Sequence, residues 1–413
     1  MLKALKNLDT FTKNIIIVFA GTSLANFFNL LYQLLIAHKL SAAEFASFNA
    51  LLAIFMLVTA PLGTFQIAIT KYTSEFNAQQ KTAKIKFFLS EFLKKALVLS
   101  GGTLLIFWLI SGQIMKLLKI PSLSCGYILA ILIALAWLGP LFSGSIQGLE
   151  LFTWLASASI ITGLLKLILA FIFILLGYNI AGALGALLIS NLISIIILSF
   201  PLKTFFSFKL EKEAIDYNKI FVYLFPVAIS YFCWIALISF DMVLVKYFFS
   251  PEDSGVYSLA QMVGKIFLFL PGAISLVMFP KTSGLNAKKM DTSSVLRKSL
   301  FYVFILSISA IIFYNLFPEF VLKVLTGKVN PGSIFLGRLF SISMSFFAAL
   351  FILISYFLSI NNSCFLKYLV SLTICQFLGI LFFHTSLTQV QFILCANAIL
   401  LFIIHLVLAF KAK

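Results

Sequence analysis

Long apolar runs alternate with short polar breaks along the whole chain. Twelve of the runs approach the roughly 20 residues that a helix needs to cross a bilayer. They lie at 15–37, 48–70, 96–114, 126–146, 153–176, 181–201, 222–245, 256–280, 301–317, 335–359, 365–384 and 390–410. Glu91, Lys94 and Lys95 crowd the start of the third run, so that start is expected to lie flat in the interface. The pattern predicts an all-α integral membrane protein of about twelve transmembrane helices.

Polar residues inside the runs fall on stripes. Thr22, Asn26, Asn29 and Gln33 follow at spacings of 4, 3 and 4 in the first span, which places them on one helical face. Four polar side chains on one face are expected to meet a neighbouring helix or a wet cavity rather than lipid. In the fifth span Ser159, Thr162 and Lys166 share a face. In the eighth, Ser258, Gln261 and Lys265 do the same, with Pro271 and Gly272 following where a kink is allowed. A lysine at the centre of a span costs about 2.5–3.5 kcal/mol on insertion scales. Neither lysine is near enough to an end to snorkel. Both read as uncompensated cations that attract an anion, and a lysine suits a phosphate that must bind and then leave. The only intramembrane acid is Asp241, near the outer end of the seventh span, and it is a candidate for coupling an ion such as H⁺ or Na⁺.

The chain also repeats itself at a shift of about 209 residues. "LSAAEFASFNALLAIFMLVTAPLGTFQIAITKY" (40–72) aligns with "FSPEDSGVYSLAQMVGKIFLFLPGAISLVMFPK" (249–281). Ser41 matches Ser250, Glu44 matches Asp253, and Phe48 matches Tyr257; one residue further in register, Pro61 matches Pro271 and Lys71 matches Lys281. Phe55 stands where Lys265 would be matched, so the charge belongs to one half only. Six spans in each half imply two parallel lobes. The expected boundaries are an amino-terminal lobe at 1–202, a cytoplasmic linker at 203–221 and a carboxy-terminal lobe at 222–413. Pro61, Pro271 and Gly272 are the expected hinges, and substrate is expected between the lobes.

Composition and charge agree with this reading. The chain has 413 residues, of which 62% are hydrophobic and 10% charged, and its mean hydropathy is +1.10. Soluble domains carry about 25% charged residues. The net charge of +17 follows from loop lysines, which argues for membrane topology and against nucleic acid. With the amino terminus inside, 21 basic residues fall on the cytoplasmic side and 7 on the outer side. That excess predicts cytoplasmic termini at both ends. The five cysteines show no CxxC spacing and no metal or disulfide framework is expected. No nucleotide loop, catalytic triad or metal cluster is visible, so neither a cofactor nor enzymatic activity is expected.

Three segments resemble the multidrug/oligosaccharidyl-lipid/polysaccharide exporter superfamily. They are "LSAAEFASFNALLAIFMLVTAPLGTFQIAITKYTSEF" (40–76), "FSGSIQGLELF" (142–152) and "DMVLVKYFFSPEDSGVYSLAQMV" (241–263). The resemblance is closest to the polysaccharide-transport branch, which includes Wzx-type O-antigen flippases. It implies a monomeric flippase that moves a polyprenyl-pyrophosphate-linked oligosaccharide from the inner to the outer leaflet of the cell membrane. It also implies a cavity lined by spans one, two, seven and eight, which maps onto the Thr22–Gln33 stripe, Gln261 and Lys265. The absence of a span-core arginine departs from the family habit and leaves the charge of the cargo open. A drug/cation antiporter of the same superfamily is the main rival, disfavoured because spans one to six hold no core acid. A peptidoglycan-precursor flippase is the second, and those proteins look like fourteen spans.

Overall fold

A computed structural model describes residues 10–206 and 217–411. Most of the expected linker at 203–221 lies outside the described residues. Those described are almost wholly helical: α1 (Thr10–Lys39), α2 (Ala42–Thr59), α3 (Leu62–Ala78), α4 (Thr82–Leu117), α5 (Leu123–Ala136), α6 (Gly139–Gly148), α7 (Phe152–Leu175) and α8 (Asn179–Ser199). After a short 3₁₀ turn come α9 (Tyr217–Phe248), α10 (Pro251–Ala287), α11 (Ser293–Leu316), α12 (Pro318–Thr326), α13 (Pro331–Ser359), α14 (Leu366–Phe382) and α15 (Leu387–Lys411). These account for all twelve expected spans, because the second and fourth are each built from two helices.

Both breaks have a local cause. Between α2 and α3 stands Pro61, whose carbonyl accepts from the Thr64 hydroxyl at 2.6 Å. Between α5 and α6 the chain turns at Trp137 and Leu138, and Pro140 sits in the first turn of α6, where its missing N–H costs nothing. α10, by contrast, runs as helix through positions 271 and 272; the surroundings of Pro271 and Gly272 lie outside the described residues. The third span is one 36-residue helix, α4, so its charged start is not a separate segment.

The repeat has a structural reason. Ser41 and Glu44 form a reciprocal cap at the start of α2: the Ser41 amide donates to Glu44 Oε2 at 2.9 Å and the Glu44 amide to Ser41 Oγ at 3.2 Å. The matched pair does the equivalent at α10, where the Asp253 amide donates to Ser250 Oγ at 3.1 Å and Ser250 Oγ donates to Asp253 Oδ2 at 2.8 Å. Such caps satisfy otherwise orphaned amides and fix where each helix begins.

The chain forms two compact units. Residues 1–39 and 58–228 make the first; 40–57 and 229–413 make the second. The segment 40–57, which holds most of α2, therefore groups with the carboxy-terminal helices although the lobe expected from the halves is 1–202. In the first unit, α1 packs on α7 and α7 on α8, while α3 packs on α6 and α4 on α5. Small residues set the distances. A Cβ added at Gly21 of α1 would lie 2.6 Å from Ala156 Cβ of α7, and one at Gly148 of α6 would lie 2.8 Å from the Thr70 carbonyl of α3. Gly144 and Gly148 form the G-x-x-x-G spacing inside the "FSGSIQGLELF" segment, and close backbone approach is what that spacing allows in a membrane. In the second unit α13 is the central helix, packed by α10, α11 and α15. Of its most apolar window 78% is buried, against 6% for α4, which faces outward. A helix that is apolar all round belongs in the interior.

Candidate functional site

The first unit contains a polar cavity of about 370 Å³ in an otherwise apolar bundle. α1 contributes Thr22, Asn26 and Asn29, α7 contributes Ser159, Thr162 and Lys166, and α8 contributes Ser190 and Asn191. Close packing of α1 on α7 through Gly21, Ala25 and Gly163 brings the first two stripes face to face. Several hydroxyls are tied to their own helices: Thr22 Oγ1 donates to the Val18 carbonyl at 2.8 Å and Ser159 Oγ to Leu155 at 2.8 Å.

Lys166 is half-buried at the wall of this cavity. Its ammonium donates to Asn29 Oδ1 and lies 4.6 Å from the centroid of the Tyr32 ring. Tyr32 is held in turn by its hydroxyl, which donates to the Ala183 carbonyl on α8 at 2.8 Å. The partners of Lys166 among the described residues are thus an amide oxygen and a ring face. Both are favourable dipoles, and a desolvated cation–π contact is worth up to about 2 kcal/mol, but neither cancels a full charge. Asn26 is exposed beside it. Gln33, the fourth member of the α1 stripe, is not among the cavity's lining residues.

Lys265 has a different setting, in the second unit. It is also half-buried, and its ammonium donates to Asn49 Oδ1 of α2 at 3.2 Å. The Asn49 amide nitrogen donates to Ser258 Oγ at 2.9 Å and to the Phe45 carbonyl at 3.1 Å. Asn49 and Ser258 are one repeat apart, 209 residues, so matched positions of the two halves meet here. Asp241 of α9 is fully buried and accepts from the Tyr257 hydroxyl at 2.7 Å and from Gln261 Nε2 at 3.1 and 3.3 Å. Its charge acts on Lys265. Asp241 of α9 thus acts on Lys265 across helices without a direct ion pair between them among the described residues, a neighbour that spacing along one helix could not reveal. Asp241 itself sits in a closed network rather than at an interface. Within that network the Gln261 Oε1 atom is buried without a hydrogen-bond donor.

The structure thus brings Thr22, Asn26 and Asn29 to Lys166, and Gln261 to Asp241. Sequence reasoning missed Asn49, Ser190 and Asn191. The signal for Asn191 was present, since one amide in the middle of an apolar span is costly unless it is used; that for Asn49 was its match to Ser258. No group of three or more His, Cys, Asp or Glu able to hold a metal occurs among the described residues.

A family model described as "Polysaccharide biosynthesis protein" matches residues 11–286. No curated protein sequence matches the chain. Among solved structures, an inward-facing multidrug resistance MATE family transporter of the MOP superfamily aligns with a TM-score of 0.77 at 13% identity, covering 92% of this chain and 93% of that one. The lipid II flippase MurJ in an inward closed conformation aligns with a TM-score of 0.71 at 14% identity, covering 96% and 87%. The MATE multidrug transporter DinF-BH aligns with a TM-score of 0.68 at 17% identity, covering 96% and 94%. At these identities the likeness is one of fold. The match over two thirds of the sequence, on a multi-pass helical chain with the fold of the MOP superfamily, makes this protein a member of the polysaccharide biosynthesis protein family.

Proposed function

We propose that the chain is a flippase for a polyprenyl-pyrophosphate-linked oligosaccharide, a polysaccharide or O-antigen precursor, which it moves from the inner to the outer leaflet by alternating access. The observation that carries the reading is the polar cavity around Lys166. A positive charge supported only by neutral dipoles favours an anion such as the pyrophosphate. The surrounding amides of Asn26, Asn29 and Asn191, with the hydroxyls of Ser159, Thr162 and Ser190, suit sugar hydroxyls, which both donate and accept. The basic excess of the loops at 71–95, 203–219 and 281–299 supports a cytoplasmic-membrane location with both termini inside. Asp241 is the residue we assign to a coupling ion, H⁺ or Na⁺, because it is a fully buried carboxylate bonded by Tyr257 and Gln261 and not ion-paired directly to Lys265.

The second reading is a peptidoglycan-precursor flippase, favoured by the likeness to MurJ; a drug/cation antiporter is disfavoured by the cation in the cavity wall. Reconstitution in liposomes distinguishes them. A fluorescent polyprenyl-pyrophosphate oligosaccharide, a peptidoglycan lipid precursor and a cationic dye are each followed across the bilayer by quenching from outside. The proposal expects faster crossing of the first alone, lost in Lys166→Ala and partly kept in Lys166→Arg. Equal rates for all three proteins would remove the site, and faster crossing of the dye alone would remove the function.

A further inference from the structure

A second cavity in the first unit, of about 390 Å³, has no part in the polar site. Its walls come from α3, α4 and the α5–α6 break, and they are apolar: Phe65, Ile69, Phe92, Leu99, Trp137 and Leu141 among them. It lies against both helix breaks of this unit, since Leu62 directly follows Pro61, and Pro140 opens α6. Phe65 and Trp137 meet across it at 6.1 Å between ring centroids. Leu99 is 44% exposed, so the cavity is open on its α4 side, the helix that faces outward over most of its length. One charged residue lines it, the exposed Lys95, whose ammonium lies 5.9 Å from the centroid of the Phe92 ring in the cavity wall.

We propose that this groove holds one hydrocarbon chain of an anionic phospholipid, with the phosphate against Lys95. Apolar walls open to a bilayer fill with the chain of a lipid, and a single amine at the mouth selects the headgroup. The occupant is a bilayer phospholipid rather than the carried lipid because the segment leading to the mouth bears Lys81, Lys84, Lys86, Lys94 and Lys95. Such a juxtamembrane cluster concentrates anionic headgroups of the cytoplasmic leaflet. A bound chain would brace α3 and α6 at their starts, where Pro61 and the Trp137–Leu138 turn leave the helices uncontinued.

Trp137 gives a direct reading. In full-length protein with Trp108, Trp154 and Trp234 replaced by Phe, reconstituted in liposomes, tail-brominated phosphatidylglycerol is expected to quench Trp137 at least twofold more than tail-brominated phosphatidylcholine at equal mole fraction. Lys95→Gln, an exposed substitution that leaves the fold intact, should abolish that preference. Excess unbrominated phosphatidylglycerol should restore the emission. Equal quenching by the two lipids, or a preference unchanged in Lys95→Gln, would overturn the proposal. Restoration by stoichiometric polyprenyl phosphate but not by excess phosphatidylglycerol would overturn it too, by assigning the groove to the carried lipid.

Discussion

Lys166 and Lys265 look alike along the chain, yet the structure gives them opposite surroundings. Lys166 meets an amide and a tyrosine ring beside an open polar cavity. Lys265 meets Asn49, and the carboxylate of Asp241 on α9 acts on it at longer range. A nearby opposite charge stabilises a buried charge. One held by dipoles alone still attracts an anion. Position in a span therefore announces that a charge is costly, and the partners decide whether it is structural or reaches for a ligand.

The contrast between the two lysines is most exposed to disproof at Asp241. Asp241→Ala removes the acceptor of two buried donors, Tyr257 and Gln261, at about 1–3 kcal/mol each. A loss of at least about 2 kcal/mol in thermal stability should follow, and Lys265→Met in the same chain should restore part of it. Strict additivity of the two substitutions would show that the charges are not coupled. Next comes Lys166→Ala, which deletes a charge-assisted contact worth about 1.5–3 kcal/mol. Flux of the pyrophosphate-linked substrate should fall roughly tenfold to a hundredfold, with unfolding temperature little changed. A third pair of variants sharpens the contrast by adding an acid to each lysine's amide partner. Asn29→Asp should compensate Lys166 and reduce flux several-fold. Asn49→Asp, where an acid already acts, should change flux by less than twofold; equal losses would erase the distinction.

The smallest effect concerns a lysine outside the spans. Lys328 donates to the Leu40 carbonyl, and partial burial lowers its pKa from 10.5 while the nearby Glu44 charge pulls it back up. A lysine whose folded pKa lies below its unfolded one destabilises while charged, so its penalty fades as pH rises through the alkaline range toward 10.5. Glu44→Gln should move the Lys328 titration further down, measured by NMR of the dimethylated amine. An unmoved titration would show that Glu44 does not act there.

Much of this architecture was legible because lipid imposes a simple rule: a span must be long and apolar. All twelve spans could be placed, and the helical stripes of α1 and α7 could be drawn before their meeting was known. The repeat-matched Ser41, Glu44, Ser250 and Asp253 were visible as a pattern, while their use as caps needed backbone geometry. What stayed hidden was non-local. Lys265 meets Asn49 from 216 residues away, and Lys166 meets Asn29 from 137; nothing in either helix's own periodicity names such a partner. The break at Trp137 was hidden inside an apolar run, although Gly139 and Pro140 stood beside it. Grouping of 40–57 with the carboxy-terminal helices also depends on contacts that a count of spans per half cannot give.

Substrate affinity separates the two lysines most directly. Binding of a short-chain polyprenyl-pyrophosphate sugar to the detergent-solubilised protein should weaken at least tenfold in Lys166→Ala and less than threefold in Lys265→Ala. The reverse order, or equal weakening, would contradict the claim that the cavity lysine of the first unit meets the pyrophosphate while its counterpart in the second is already occupied.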